Sequence, residues 1–163
     1  MKKHIINLAK KPFCLNGFKI EEHIKGEKNF EWDASKVELF VSEKQKNGYQ
    51  KGTELQKEIK NPFNANLLDY LLAHPELIPE EWKDKDKVVC FWGTIYRDSD
   101  GYFCVRCLYW DGESWGRYYR WLDVDFDDVS PAARRANSSE TLETLPSELI
   151  INGIKYVKSY EKN

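Results

Sequence analysis

The pattern of apolar and polar positions changes along the chain. Over residues 1–50, short apolar runs alternate with turn residues, and the Asn16-Gly17 pair is typical of a tight β-hairpin turn. From residue 53 onward, apolar residues recur three or four positions apart, which is the period of an amphipathic helix. The pattern therefore predicts short N-terminal strands, followed by helices over 53–60 and 65–73.

Residues 88–122 carry the two-residue period of β-strands. Two polar reversals, RDSDG and DGES, divide this stretch into three strands, so we predict a three-stranded antiparallel meander. With four-residue turns, Arg97 lies opposite Tyr102 and Trp110 lies opposite Trp115. This register sorts the side chains onto two faces of the sheet.

The C-terminal part is less regular. Ser130-Pro131 is typical of a helix cap followed by proline at the first helical position, which predicts a short helix over the AARRA that follows. The polar residues 137–145 predict a mobile linker. The string LIINGIKYVK predicts a hairpin around Asn152-Gly153.

Together these elements predict one domain over residues 1–163 with an α+β fold. An antiparallel β-meander sheet (about 88–122) packs against short helices (about 53–82), and terminal β-hairpins are added. A chain of 163 residues is long enough to bury a sizeable core. The expected order along the chain is N-terminal strands (1–50), a helical segment (51–87), the meander with its short helix (88–136), and the linker with the C-terminal hairpin (137–163).

The two faces of the predicted meander differ in chemistry. One face, which includes Tyr96, Val105 and Cys107, is apolar, and we expect the leucine-rich helix of 65–73 to cover it. The other face mixes flat rings with arginines and includes Ile95. Its candidate partner-binding residues are Arg106, Trp110, Trp115, Arg117, Tyr119 and Trp121.

Two interpretations of the aromatic and arginine face remain open at this point. Cross-strand rings and arginine–tryptophan contacts stabilise sheets, so the face is structural if the N-terminal strands cover it. If it is exposed, a contiguous patch of tryptophan, tyrosine and arginine is typical of protein–protein anchors. Single-stranded nucleic acid and sugar rings also stack on aromatic surfaces. The leading hypothesis is a non-enzymatic binding module with a protein partner, and the alternative is a single-stranded nucleic-acid-binding protein.

Charge narrows the class of partner. The chain has 25 basic and 27 acidic residues, a net charge of −2, which does not supply the positive field that attracts nucleic acid or membranes. No apolar run approaches the roughly 20 residues that cross a bilayer. The N-terminal segment lacks the pattern of a signal peptide. A cytoplasmic location without a membrane partner is therefore expected.

The cysteines Cys14, Cys90, Cys104 and Cys107 are too few for a disulfide framework, so reduced thiols are expected. Cys104 and Cys107 have the C-x-x-C spacing of metal and redox sites. Residues three apart in a strand point to opposite faces, however, so these two sulfurs do not converge. Cys90 and Cys107 are expected to lie diagonally on one face as small buried hydrophobes.

A run of aspartates follows the meander in LDVDFDDVS. Its spacing matches the opening of an EF-hand loop, but Asp128 stands where glycine is required and Arg134 where the bidentate glutamate belongs. An exposed, charged edge strand is the simpler interpretation. Asp123, Asp125 and Asp127 are the candidate ligands if a divalent ion binds, which would make a metal-assisted hydrolase the third hypothesis. No other catalytic or phosphate-binding motif occurs, so we predict no cofactor and favour a protein that is not an enzyme.

The strings NANLLDYLLAHPELIPEEWK and FWGTIYRDSDG resemble a small uncharacterised family of bacterial proteins, in which a similar leucine helix, P-E-E-W and F-W-G-T-I-Y-R recur. The resemblance continues through WLDVDFDD and PAARRA and spans about residues 37–136. It implies one coherent unit from the helix through the meander, and it implies no activity. Members of that family have glycine and tryptophan around the segment that is DVDFDD here, so the resemblance does not imply a shared metal site.

Overall fold

Helices form where the leucine spacing predicts them. The structure is a computed structural model that describes residues 2–136, 148–151 and 154–157. Asn64 caps the leucine-rich helix by accepting a hydrogen bond from the backbone N–H of Asn66. The described helices are α1 (Glu43–Lys46), α2 (Gly52–Glu58) and α3 (Ala65–Ala73), with 3₁₀ turns at Ala34–Lys36, Pro75–Leu77 and Glu80–Trp82.

The strands are numbered in chain order. They are β1 (Ile5–Ile6), β2 (Lys19–His23), β3 (Phe30–Glu31), β4 (Val37–Phe40), β5 (Gln50–Lys51), β6 (Val88–Arg97), β7 (Phe103–Trp110), β8 (Trp115–Trp121), β9 (Asp125–Phe126), β10 (Ala132–Arg135), β11 (Glu148–Ile151) and β12 (Ile154–Val157).

One six-stranded sheet organises these elements. Its order is β4-β10-β6-β7-β8, and β2 pairs with the second half of β6. Strands β6, β7 and β8 form the predicted antiparallel meander. Strand β10 runs antiparallel to β4 but parallel to β6, so the sheet is mixed. The α+β fold is confirmed, and the meander is the larger part of a wider sheet.

The predicted short helix after Pro131 is wrong, because Ala132–Arg135 form strand β10. The small side chains of Ala132 and Ala133 are fully buried between β4 and β6, one on each face of the sheet. One edge of the strand pairs with β4. The other pairs with β6 at Ala132 and, further along, with residues 61–63, so that both edges make backbone hydrogen bonds. The tertiary slot therefore outweighs the helix preference of alanine.

The terminal hairpins differ in outcome. Asn16-Gly17 does form a turn, with Gly17 at a φ of 91° and the Phe18 N–H donating to the Leu15 carbonyl. The strand that follows this turn, β2, pairs with β6 and not with the preceding segment, so the expected N-terminal hairpin is wrong. Strand β11 pairs antiparallel with β12, which confirms the C-terminal hairpin. The predicted linker over 137–145 lies outside the described residues.

Strand β6 changes register against β7 in its middle. Phe91 lies opposite Arg106, and the next pair joins Tyr96 to Cys104, so β6 advances by five residues where β7 advances by two. The odd difference reverses the alternation of side chains along the rest of β6. Ile95 therefore lies on the face with Val105, and Tyr96 lies on the opposite face, which corrects the predicted assignment of both.

The two predicted turn registers therefore have different outcomes. Arg97 lies opposite Phe103 and not opposite Tyr102, because the turn contains the five residues 98–102 and not four. Trp110 lies opposite Trp115, as predicted, because β7 and β8 pair without interruption.

The register break coincides with a close backbone approach. The Gly93 N–H donates to the Phe63 carbonyl at 2.9 Å, and a Cβ at Gly93 would lie 2.7 Å from the Asn64 nitrogen. The next residue, Thr94, accepts from the N–H of Ala65 through its hydroxyl at 2.9 Å. The start of α3 is thus joined to β6 at the register break of this strand.

Both faces of the sheet are covered. The face that carries Cys90, Val105 and Cys107 packs against Leu55 of α2 and against Phe126. Helix α3 covers the other face: its buried leucines pack against Phe91 and Leu108. The prediction that the leucine-rich helix covers the Val105 and Cys107 face is therefore wrong, because the contact at Gly93 sets α3 on the Phe91 side.

Replacing Gly93 tests the close approach. We expect Gly93→Ala to lower the free energy of unfolding by about 2–3 kcal/mol, because the added methyl group meets backbone atoms that cannot rotate away. Urea denaturation followed by tryptophan fluorescence measures this loss. Gly116→Ala in β8 is the matched control: its Cβ meets the ring of Tyr109, which can turn, so a loss of about 1 kcal/mol or less is expected. Equal losses in the two variants would contradict this account.

Candidate functional site

The candidate partner-binding residues share one face of β7 and β8. The strands pair in an unbroken register that places them in cross-strand rows. The rows are Trp110 with Trp115, Leu108 with Arg117, Arg106 with Tyr119, and Cys104 with Trp121. These four rows form one continuous face, but neighbouring elements cover most of it.

Arg106 lies in the core and is 1% exposed. Its Nη1 and Nη2 atoms donate to the two carboxylate oxygens of Asp69 on α3, at 3.0 and 2.7 Å. Burial alone would lower the pKa of Arg106, but the hydrogen bonds and charge of Asp69 outweigh it and raise that pKa. The guanidinium therefore stays charged and is occupied by an internal partner.

Residues 8–15, which we call the N-terminal strap, cover the middle of this face. Side chains from α3, its N-cap and β6 donate hydrogen bonds to the carbonyl groups of the strap. Asn64 donates to the Leu8 carbonyl, Asn66 to the Lys10 carbonyl, and the Tyr96 hydroxyl to the Phe13 carbonyl, at 2.9, 2.9 and 2.8 Å. Burial raises the pKa of Tyr96, so the hydroxyl remains a neutral donor.

The ring of Phe13 in the strap closes over the arginines. Its centroid lies 5.5 Å from the guanidinium of Arg106 and 5.7 Å from that of Arg117. Arg117 is exposed, and it is the arginine of the predicted pair that solvent can reach.

Tyr119 and Trp121 are half-buried and have internal partners. The ring of Tyr119 lies 4.7 Å from that of Phe18 and 5.7 Å from that of Tyr96, and burial raises the pKa of its hydroxyl. The indole N–H of Trp121 donates to the carboxylate of Asp98 at 2.8 Å. These two rings therefore stabilise the end of the sheet.

At the other end of the face, Trp110 and Trp115 line an open depression of about 430 Å³, which we call the tryptophan groove. The two rings are 5.3 Å apart and tilted by 57°. The ammonium group of Lys83 lies 4.8 Å from the centre of the Trp110 ring. The remaining lining residues are Leu72, Pro75, Glu76, Glu113 and Ser114.

The turn between β7 and β8 fixes the geometry of the tryptophan groove. The carboxylate of Asp111 accepts from the backbone N–H groups of Glu113 and Ser114, at 2.8 and 2.7 Å. These hydrogen bonds hold the pKa of Asp111 below its usual value. Gly112 has a φ of 107°, which the turn requires. The DGES sequence therefore holds the two indoles side by side.

The other predicted sites do not assemble into a constellation. Asp125 lies in β9 opposite Lys51 of β5, and Asp127 accepts from the N–H of Val129 and the hydroxyl of Ser130. Asp123 is exposed. Over the part of the chain that the structure describes, no group of three or more histidine, cysteine or acidic side chains is placed to hold a metal ion.

The groups that cover and line the site are not evident from the sequence patterns. Asp69 is the one charged residue in the ANLLDYLLA of α3, and this isolated charge in an apolar helix was a signal for a buried partner. Lys83 and Pro75 carried no such signal, because they reach the groove from the turns after α3. Within the described ranges, no helix has the length and apolar character needed to span a membrane.

Removing the charge of Asp69 tests the role assigned to Arg106. We expect Asp69→Asn to lower the free energy of unfolding by about 2–3 kcal/mol, because it leaves a buried guanidinium without its counter-charge. Glu21→Gln is the matched control, since the Glu21–Arg97 pair is exposed and should contribute about 0.5 kcal/mol or less. Urea denaturation of both variants gives the comparison. An Asp69→Asn protein as stable as the wild type would show that Arg106 is not held in this way.

Comparison of the chain with known protein families, with curated proteins and with solved structures found no match. The geometry of the tryptophan groove and its surroundings is therefore the basis for proposing a function.

Proposed function

We propose that this protein is a non-enzymatic interaction module that binds a protein partner through the tryptophan groove. The observation that carries the proposal is the position of Trp110 and Trp115. They are the end of an aromatic face whose middle is covered by α3 and the N-terminal strap, and they line an open depression.

The chemistry of the groove fits an apolar side chain from a partner. Leu72 and Pro75 add aliphatic surface beside the two indoles, and tryptophan is the residue type most enriched among the anchors of protein interfaces. Lys83, Glu76 and Glu113 form a charged rim of mixed sign. An apolar centre with a polar rim is the usual anatomy of a protein–protein contact.

The position of β8 adds a second argument. It is the last strand in the order β4-β10-β6-β7-β8, and its first residue, Trp115, lines the groove. An edge strand presents backbone N–H and carbonyl groups that an extended segment of a partner can pair with. A partner that enters the groove therefore finds main-chain hydrogen bonds next to it.

The nucleic-acid alternative has less support. Binding of single strands combines stacking with a positively charged groove. Four of the six arginines are paired with carboxylates: Arg97 with Glu21, Arg106 with Asp69, Arg134 with Glu38, and Arg135 with Glu27. The tryptophan groove itself has one lysine and two glutamates, which do not make a basic channel.

Affinity capture with a single substitution tests the proposed function. We expect Trp110→Ala to reduce capture of the partner roughly tenfold or more, because truncating a central tryptophan anchor removes most of its contact area. Trp110 is the better residue to substitute, because Trp115 also packs against the core that contains the leucines of α3. Quantitative mass spectrometry of proteins bound to the immobilised chain is the measurement.

Tyr49→Ala is the matched control, because Tyr49 is a 64% exposed aromatic residue remote in sequence from the groove. Thermal melting of both variants verifies that they are folded. Proteins that bind wild type and Tyr49→Ala but not Trp110→Ala support the proposal, whereas equal capture by all three contradicts it. Capture of single-stranded nucleic acid that weakens steeply with salt would favour the alternative function.

A further inference from the structure

Two buried cysteines face each other in the centre of the sheet. Cys90 of β6 lies directly opposite Cys107 of β7, and their Sγ atoms are 2.8 Å apart. The sequence predicts a diagonal arrangement, whereas the observed register of β6 and β7 places the two residues directly opposite each other. Both residues are fully buried as free thiols, in the cluster formed with Leu55 and Phe126.

The backbone geometry of this pair suits a covalent bond. The N–H of Cys90 donates to the Pro131 carbonyl, on the side of β6 away from β7. In an antiparallel ladder the N–H and carbonyl of one residue point the same way, so Cys90 and Cys107 form a pair without hydrogen bonds between them. Such pairs have a Cα separation of about 4.5 Å, which lies within the range that a disulfide spans.

From this geometry we propose that Cys90 and Cys107 form a cross-strand disulfide when the chain meets a thiol oxidant such as oxidised glutathione. One cysteine thiolate attacks a sulfur of oxidised glutathione, which breaks its S–S bond and releases one glutathione. The second cysteine attacks the protein sulfur of the mixed disulfide, forms the Sγ–Sγ bond and releases the second glutathione. The protein loses two electrons and two protons, and both glutathione sulfurs leave as thiols.

The bond changes stability more than shape. It closes the loop from 90 to 107 and joins β6 to β7 just before the register break at Phe91. Burial raises the pKa of Cys107 well above its usual value, so the folded protein rarely presents the thiolate. The exchange therefore proceeds during folding or transient opening of the sheet, and its product is a chain that oxidation stabilises.

Refolding in a redox buffer tests the proposal, because glutathione can reach the two cysteines while the chain is unfolded. The reduced, full-length chain is unfolded in urea and refolded with reduced and oxidised glutathione, and in parallel with reduced glutathione alone. Digestion with trypsin under non-reducing conditions separates the three central cysteines, since peptides 88–97, 98–106 and 107–117 contain one cysteine each. Mass spectrometry then identifies which peptides are linked.

The expected result is a link between peptides 88–97 and 107–117. We also expect the folding equilibrium constant of the oxidised chain to exceed that of the reduced chain on the order of a hundredfold. Urea denaturation of the two forms measures this difference. Cys104→Ala is the matched control, because Cys104 is buried on the opposite face of β7 and its loss should leave the link intact. Recovery of both peptides unlinked, or a link between 98–106 and 107–117, would overturn the proposal. The peptide map is made on the unsubstituted chain, so it decides the question even where a variant does not fold.

Discussion

The passage of the Phe63–Asn64 backbone over Gly93 is the constraint on which the rest of the fold depends. It occupies the space that a side chain would need, and it coincides with the register break in β6. The break turns Tyr96 towards the N-terminal strap, and the same contact places the start of α3 on the Phe91 side of the sheet. Which face carries the leucine helix, and which carries α2, thus follows from one backbone contact.

Once α3 lies on that face, the charge of Arg106 needs an internal partner. A buried guanidinium is costly unless it is hydrogen-bonded to an anion, and Asp69 is the carboxylate that α3 supplies. The strap completes the burial, because Phe13 lies over the guanidinium and Tyr96 holds the Phe13 carbonyl. Most of the residues that the sequence suggests as a stacking surface therefore pack inside the protein.

The sequence predicts what local spacing controls. The leucine period places α2 and α3 to within about two residues of their observed ends. The DGES reversal places Trp110 opposite Trp115, because a tight turn with Asp111 and Gly112 leaves one register. In the aspartate run of 123–128, Asp128 and Arg134 occupy the positions where an EF-hand loop needs glycine and glutamate, so local spacing argues against that motif.

What the sequence does not predict depends on contacts between distant segments. The register break needs Gly93 to meet a residue thirty positions earlier, which no local period encodes. The alanine-rich sequence of β10 favours a helix. It forms a strand because β4 and β6 leave a slot for small side chains. The cover over Arg106 comes from residues 8–15, whose irregular backbone has no periodic pattern to read.

The size of the cover explains why the tryptophan groove stays open. A nine-residue helix such as α3 is roughly 13 Å long, whereas an eight-residue strand such as β7 is roughly 26 Å long. Helix α3 and the strap together cover the rows of Leu108, Arg106 and Cys104, and α3 ends at Ala73, where a 3₁₀ turn at Pro75–Leu77 follows. The row of Trp110 and Trp115 is covered only in part: both side chains are half-buried, Trp115 packs against the core under α3, and the groove opens beside them. An unequal length of helix and strand thus leaves two indoles at the end of an otherwise filled face, and this is the physical basis for the proposal that they bind a partner.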